Sequence, residues 1–211
     1  MIPKQIYIYY ENTPGKIRYT NKWRSMNPDY GIHMISYESC KNIMKNQFSK
    51  IFYKTFNNIN EKKIRLDFFK FCILYHYGGI FIENDLEPLC SIDSFFKTDF
   101  VLCKAMEENT DNICSNQLIA CNSESPLIKQ ILIDYIEASI DGHRTWNPSI
   151  WNLSKKMEQV ITFETINGWG IYNRNNMMIQ VLQQHSGNFF YDAYFIYNNK
   201  RIMNDSQKYF V

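Results

Sequence analysis

The chain has 211 residues, 45% hydrophobic and 16% aromatic, with 23 Lys and Arg against 21 Asp and Glu and a formal net charge of +2. That length suits one sizeable core and is short for two, and the hydrophobic content excludes a chain disordered throughout. The near balance of charge excludes a dedicated DNA-binding protein, which carries a strong basic excess, but it permits a local basic rim facing a phosphate.

The six cysteines are Cys40, Cys72, Cys90, Cys103, Cys114 and Cys121. None forms a C-x-x-C pair, so a zinc ribbon is unsupported. Cys72 and Cys103 lie in apolar runs and read as core thiols. The chain opens on Ile2-Pro3-Lys4 and passes directly into a strand-like run, without a basic-then-apolar leader or an apolar stretch of bilayer length. The expectation is a cytoplasmic, reducing location.

Gln5 to Tyr9 is apolar on both faces and is expected as a central strand. Glu11 to Lys16 carries the turn signal Pro14-Gly15. Trp23 to Tyr30 leads into a second strand, Gly31 to Tyr37, and Ser39 to Phe48 has the pattern of a short helix. A longer amphipathic helix is expected over Asn58 to Tyr77. Asn58 and Glu61 have capping-box spacing, and Ile64, Phe68, Phe71 and Tyr75 recur at helical intervals that face a core. Gly78 suits the left-handed residue that ends a helix. A Gly-Gly turn then leads into the apolar strand Ile80-Phe81-Ile82 and the acidic loop Glu83-Asn84-Asp85-Leu86-Glu87.

Phe100 to Lys104 and Gln117 to Cys121 are expected as short buried strands joined by the polar loop Glu107 to Ser115. Ser125-Pro126 opens a helix, proline suiting the first helical position, and Leu127, Ile131, Tyr135 and Ala138 carry its apolar face to Ile140. Asn147-Pro148 starts a further helix ending near Gln159, and Val160 to Glu164 has strand character. Thr165 to Arg174 is expected as a loop, Asn175 to His185 as a helix and Phe189 to Tyr197 as extended chain. With no repeat and no linker, the expectation is a single domain over residues 1–211. Strands alternating with helices predict an α/β fold whose mostly parallel central sheet is flanked by helices. Ligands in such sheets bind beyond the carboxyl ends of the strands, the position expected for Glu83-Asn84-Asp85.

The acidic loop has two readings. In one, Glu83, Asp85 and Glu87 are solvated carboxylates that happen to follow a strand. In the other, Asp85, flanked by the apolar strand and by Leu86 and Pro88-Leu89, meets a cation, because clustered carboxylates beside an apolar core repel one another and lose hydration. Mn²⁺ and Mg²⁺ favour such oxygen donors and phosphate oxygens. Asp67 and Lys70, three apart on the preceding helix, share a face that can look toward the same cleft. As a helix-surface ion pair alone they would contribute little. No P-loop sequence and no Gly-x-Gly-x-x-Gly is present.

The residues Ile2-Pro3-Lys4-Gln5-Ile6, Trp23 through Asn27-Pro28-Asp29-Tyr30, and above all IRLDFFKFCILYHYGGIFIENDLEPL, make the chain similar to the glycosyltransferases with a D-x-D sugar-binding region. That group includes Och1-type mannosyltransferases and the catalytic domains of clostridial glucosylating toxins. Asn116 to Cys121 and Ser125-Pro126-Leu127 add weaker similarity. The resemblance implies a GT-A fold, a UDP- or GDP-sugar donor, Mn²⁺ or Mg²⁺, and transfer with retention of anomeric configuration. It assigns Asp85 to the metal as the second acid of the motif and Glu83 to the ribose or the metal as the first. Glu83 departs from the usual Asp by one methylene. Asp67 corresponds to the acid that contacts donor hydroxyls, and Lys70 stands where Arg is usual, keeping the charge without the planar fork. Tyr10 stands where Trp stacks on the nucleobase, and Asn167-Gly168-Trp169 corresponds to a loop that closes over the diphosphate. The resemblance also implies a Ser-Trp pair late in the chain that completes the metal site; it is not found up to Val211, so either Asn204, Asp205 or His185 substitutes or the site is incomplete.

The expected function is therefore a metal-dependent hexosyltransferase acting on a glycan or protein acceptor, with no nucleic-acid partner and no membrane span. The alternative is a non-catalytic nucleotide-sugar or glycan-binding module. A phosphodiesterase or nuclease would need more clustered acids or histidines.

Overall fold

A computed structural model describes residues 1–10, 19–93, 97–104, 114–140, 169–174, 177–186, 193–197 and 200–205. Strand β1 (Gln5–Tyr9) lies between β2 (Gly31–Ile35) and β3 (Gly79–Glu83), parallel to both. Its alternation shows why: Ile6 and Ile8 are buried on one face and Tyr7 on the other, as a strand covered on both sides requires. Beyond β3 come β6 (Cys114–Cys121), antiparallel to it, then β5 (Phe100–Lys104) and β8 (Met177–Ser186), which pair in parallel. β7 (Trp169–Arg174) lies antiparallel on β8. By direction β1, β2, β3, β5 and β8 run together while β6 and β7 oppose them, so the central sheet is mostly parallel.

The carboxyl end of β8 continues into an antiparallel ribbon with β9 (Ala193–Tyr197) and β10 (Lys200–Asp205). β10 pairs in turn with β4 (Leu86–Pro88), opposing Asn204 to Glu87 and Asp205 to Leu86. The ribbon thereby carries the late chain back to the residue that follows Asp85.

Helices α2 (Tyr37–Gln47), α3 (Lys50–Asn58), α4 (Lys62–Tyr77) and α5 (Pro126–Ile140) pack over one face of the sheet. Helix α1 (Thr20–Met26) sends Trp23 into the core of the other face, with Ile6, Ile8, Ile80, Ile82 and Leu86. The expected stripe of α4 is present: Ile64, Phe68 and Phe71 are buried and Tyr75 packs at its margin. Burial extends around the helix from Asp67 to Leu74, so α4 is a central element and the two charged residues of that run, Asp67 and Lys70, lie inside the protein.

Several elements differ from expectation. Asn58 ends α3 instead of capping α4, whose N-cap is Glu61 without a side-chain cap bond. Trp23 belongs to a helix, and β4 was not anticipated. Met177–Ser186 is a strand where a helix was expected, and Trp169–Arg174 is a strand where a loop was expected. In β8 the β-branched Ile179 and Val181 share one core while Leu182 joins the other. Pairing with β5 and β7 overrides a local pattern that suited either element. His33 and His76 lie in apolar runs that suit core histidines, yet both are exposed. Pro14-Gly15, the helix expected from Asn147 to Gln159, the strand expected from Val160 to Glu164 and Asn167-Gly168 lie outside the described residues.

The Gly78-Gly79 pair sets the entry into β3. Gly78 donates its N–H to Leu74 O at 2.9 Å and has φ +65° and ψ −161°. That is not the left-handed helical region expected but one that essentially only glycine adopts. A Cβ there would stand 2.6 Å from Ser123 N, and one at Gly79 would stand 2.7 Å from Gln5 O.

Candidate active site

The order in which strands are added to the sheet reverses between β1 and β3. From β1 the chain passes through α1 to β2 on one side, and it returns through α4 to β3 on the other. The carboxyl ends at such a switch point splay apart and leave a crevice. Tyr9 and Glu83 are register partners there, and Tyr10 follows Tyr9, its N–H donating to Ile35 O at 3.0 Å.

Alternation along β3 determines what enters the crevice. Ile80 and Ile82 face the core shared with Trp23, whereas Phe81 faces α4. Glu83 follows Phe81 by two residues and so points to the α4 side. There Lys70 Nζ stands 3.8 Å from Glu83 Oε1, 3.4 Å from Asp67 Oδ1 and 5.3 Å from the centroid of the Phe81 ring. Asp67 is 4% exposed and Lys70 3%. The three residues read from the sequence as one face of a site are thus brought together, with the ammonium between two carboxylates.

The three acids of the loop go three ways. Glu83 meets Lys70. Glu87 accepts from Lys22 Nζ at 2.6 Å and from Asn204 Nδ2 at 2.8 Å. Burial alone would raise its pKa, but those hydrogen bonds and the Lys22 charge outweigh it and hold the carboxyl below its usual value. Asp85 lies between them in a two-residue turn, half-buried, with Oδ1 shielded from solvent. Trp23 Nε1 donates to Leu86 O at 2.8 Å, fastening the residue after Asp85 to α1. Asn204 Oδ1 accepts from Arg201 Nε at 2.6 Å, so both ends of its amide are engaged.

Tyr10 is half-buried at the mouth of the crevice. Trp169 opens β7, opposite Leu182 of β8, and His185 lies in β8 opposite Tyr194. Asp205 closes β10 opposite Leu86. Tyr9 and Lys22 were not legible as site components, nor was the bridge from Lys22 through Glu87 to Asn204, since only the register of β1 on β3 and of β4 on β10 and the packing of α1 juxtapose them.

No group of three or more His, Cys, Asp or Glu side chains arranged to hold a metal occurs among the described residues. Glu83 and Asp85 are hard oxygen donors two residues apart at the open end of a strand. That set fits an Mg²⁺-like ion bound by one or two carboxylates and completed by substrate phosphates and water.

The profile of the family "Glycosyltransferase sugar-binding region containing DXD motif" matches residues 14–120, just over half of the chain. The chain belongs to this glycosyltransferase family. The matched span includes Glu83-Asn84-Asp85. Among curated family relatives, the initiation-specific alpha-1,6-mannosyltransferase of Candida albicans is 24% identical over 81 residues, 37% of this chain. The match spans only 21% of that relative's length. Among solved structures, the PaToxG glycosyltransferase superposes with a TM-score of 0.58 at 14% identity, covering 76% of this chain and 70% of that one. The UDP-bound glycosyltransferase domain of the YGT toxin reaches 0.45 at 10% identity, over 75% and 67%. The fold is of GT-A type. No helix among the described residues is long and apolar enough to cross a membrane.

Proposed function

We propose that the chain is a metal-dependent hexosyltransferase. It moves a sugar from a nucleotide-diphosphate donor to an acceptor hydroxyl with retention, acting as one domain over residues 1–211 in a reducing, cytoplasmic compartment. The observation that carries this reading is the convergence of buried Asp67 and Lys70 on Glu83, two residues before Asp85, at the strand switch point of a GT-A fold. Buried charges need partners, and a fixed cation flanked by carboxylates at a crevice suits a polyhydroxyl, anionic ligand.

Each residue has a task that follows from its position. Asp67 accepts hydrogen bonds from donor-sugar hydroxyls. Lys70, held in a slot where its ammonium cannot swing into solvent, presents preorganised positive charge. Tyr10 supplies a ring for the nucleobase, and Trp169 is assigned to closure over the donor. Asp85, with Glu83, would hold the divalent cation, which neutralises the diphosphate and stabilises charge on the leaving phosphate. Retention sends the acceptor to the face from which the diphosphate departs, where the leaving oxygen can take the acceptor's proton, so no dedicated base is required.

The test is a thermal-shift screen of UDP- and GDP-sugars with and without Mn²⁺, on wild type and Asp85→Ala. The reading expects a shift with one donor that requires the metal and vanishes in the variant. A donor shift that ignores both would sink it. Release of free nucleotide diphosphate during long incubation separates an enzyme from a binding module.

A further inference from the structure

The chain leaving Asp85 is braced from two directions by residues distant in sequence. On one side stands α1. Lys22 Nζ donates to Glu87 Oε1 at 2.6 Å, and Trp23 Nε1 donates to Leu86 O at 2.8 Å. Further along, Asn27 Oδ1 accepts from Ile92 N at 2.9 Å and from Ser91 Oγ at 3.2 Å. On the other side stands β10. Asn204 Nδ2 donates to Glu87 Oε2 at 2.8 Å, and Ile202 O accepts from Leu89 N at 2.9 Å. The two oxygens of Glu87 are thus divided between the two elements, one each.

β4 needs such a brace. It is three residues long, and its Pro88 brings no N–H to the ladder with β10. The Lys22 and Glu87 side chains are 35% and 24% exposed, so their ion pair contributes little to global stability. Its effect is local. Glu87 follows Asp85 by two residues, and fixing both Leu86 O and the Glu87 carboxylate fixes where the backbone leaves Asp85. Asn204 is itself held, because its Oδ1 accepts from Arg201 Nε at 2.6 Å and so keeps Nδ2 turned to Glu87.

We propose that Glu87, clasped by Lys22 and Asn204, is a positioning residue for the divalent cation: it sets the place of Asp85 and touches neither metal nor donor. The inference rests on the metal-dependent reading of Asp85. It gives Asn204 the part of a brace, not of a metal ligand. Groups that orient a metal-binding side chain from behind change metal affinity by about 10–100-fold when removed, whereas loss of a partly exposed ion pair hardly moves the melt.

The experiment follows Mn²⁺ by electron paramagnetic resonance as it is titrated into the full chain with UDP or GDP present. Wild type is compared with Asp85→Ala, Glu87→Ala, Lys22→Ala, Lys22→Arg, Asn204→Asp and Lys22→Ala/Glu87→Ala, each melted in parallel. Glu87→Ala and Lys22→Ala should weaken Mn²⁺ by about tenfold or more and melt within a few degrees of wild type. The double variant should bind no more weakly than Glu87→Ala, because the pair acts as one unit, and Lys22→Arg should retain the affinity. Asn204→Asp separates brace from ligand. A ligand would gain a hard carboxylate and hold Mn²⁺ as well or better, whereas a brace would set a second carboxylate against Glu87 and weaken binding. Should Glu87→Ala melt far below wild type, Lys22→Ala and Asn204→Asp carry the same test. Affinity within about twofold of wild type in Glu87→Ala and Lys22→Ala, or undiminished in Asn204→Asp, overturns the proposal. So does an affinity loss that Ile131→Val, a core change on α5, reproduces. Mn²⁺ binding that requires Asp85 but ignores Glu87 refutes the brace alone. Binding absent from wild type with either nucleotide, or surviving in Asp85→Ala, refutes the metal reading and the brace with it.

Discussion

Lys70 has its ammonium between Asp67 and Glu83 in a slot where 3% of the residue is exposed. Removing one member of such a buried set strands the others, so Lys70→Met should destabilise the protein by about 3–5 kcal/mol in denaturant melts. The paired change Asp67→Leu/Lys70→Met removes both charges and should recover much of that stability without recovering donor binding. Recovery of both would make the pair merely structural. Asp85→Ala should leave the melting temperature within a few degrees and abolish transfer. Near-normal turnover in that variant would refute its assignment. The meeting of Asp67 and Lys70 with the acidic loop was readable from spacing and family resemblance because all lie within one helix–turn–strand segment. Tyr9 was not, since its proximity to Glu83 is a matter of register between strands far apart in sequence.

At the next scale the site depends on how α4, β3 and β4 are joined. Gly78 and Gly79 have φ of +65° and +99°, and at both a Cβ would meet backbone. Gly78→Ala should therefore cost more than about 2 kcal/mol, several times the usual glycine-to-alanine effect and opposite in sign to the gain seen at unstrained sites. Urea unfolding checks this. The bridge behind Asp85 adds a pH dependence. Glu87 is held below its usual pKa of 4.5, so its contribution is fully present above that value and is lost as pH falls through the lowered one. The stability difference between wild type and Glu87→Gln should accordingly be largest near neutrality and shrink as the solution is acidified through the lowered pKa, with a maximum of about 1 kcal/mol for a partly exposed pair. A difference that grows on acidification would contradict the assignment. The anticipated capping box at Asn58 failed at this scale because α3 already occupies that residue. A local motif cannot report where a neighbouring helix ends.

For the molecule as a whole, the ribbon β8-β9-β10-β4 brings the late chain to the loop that carries Asp85. Donor and metal should therefore stabilise the entire fold. A matched donor at one hundred times its Kd with Mn²⁺ should add about 2.7 kcal/mol, and removing Mn²⁺ with EDTA should abolish most of it. A gain unaffected by EDTA would place the ligand elsewhere.

The amino-acid sequence alone determined the parts governed by short-range chemistry. These include the central strand Gln5–Tyr9, the apolar stripe of α4, the glycines before β3, the buried strand Phe100–Lys104, the helix Pro126–Ile140 and the acidic loop whose pattern marks the family. Tertiary structure decided what contacts at long separation decide. It made β8 a strand by pairing it on both sides, carried Glu87 to Lys22 and Asn204, and set Tyr9 against Glu83. Helical spacing and turn chemistry act within a few residues, whereas strand register is fixed only when segments tens of residues apart bury their apolar faces together.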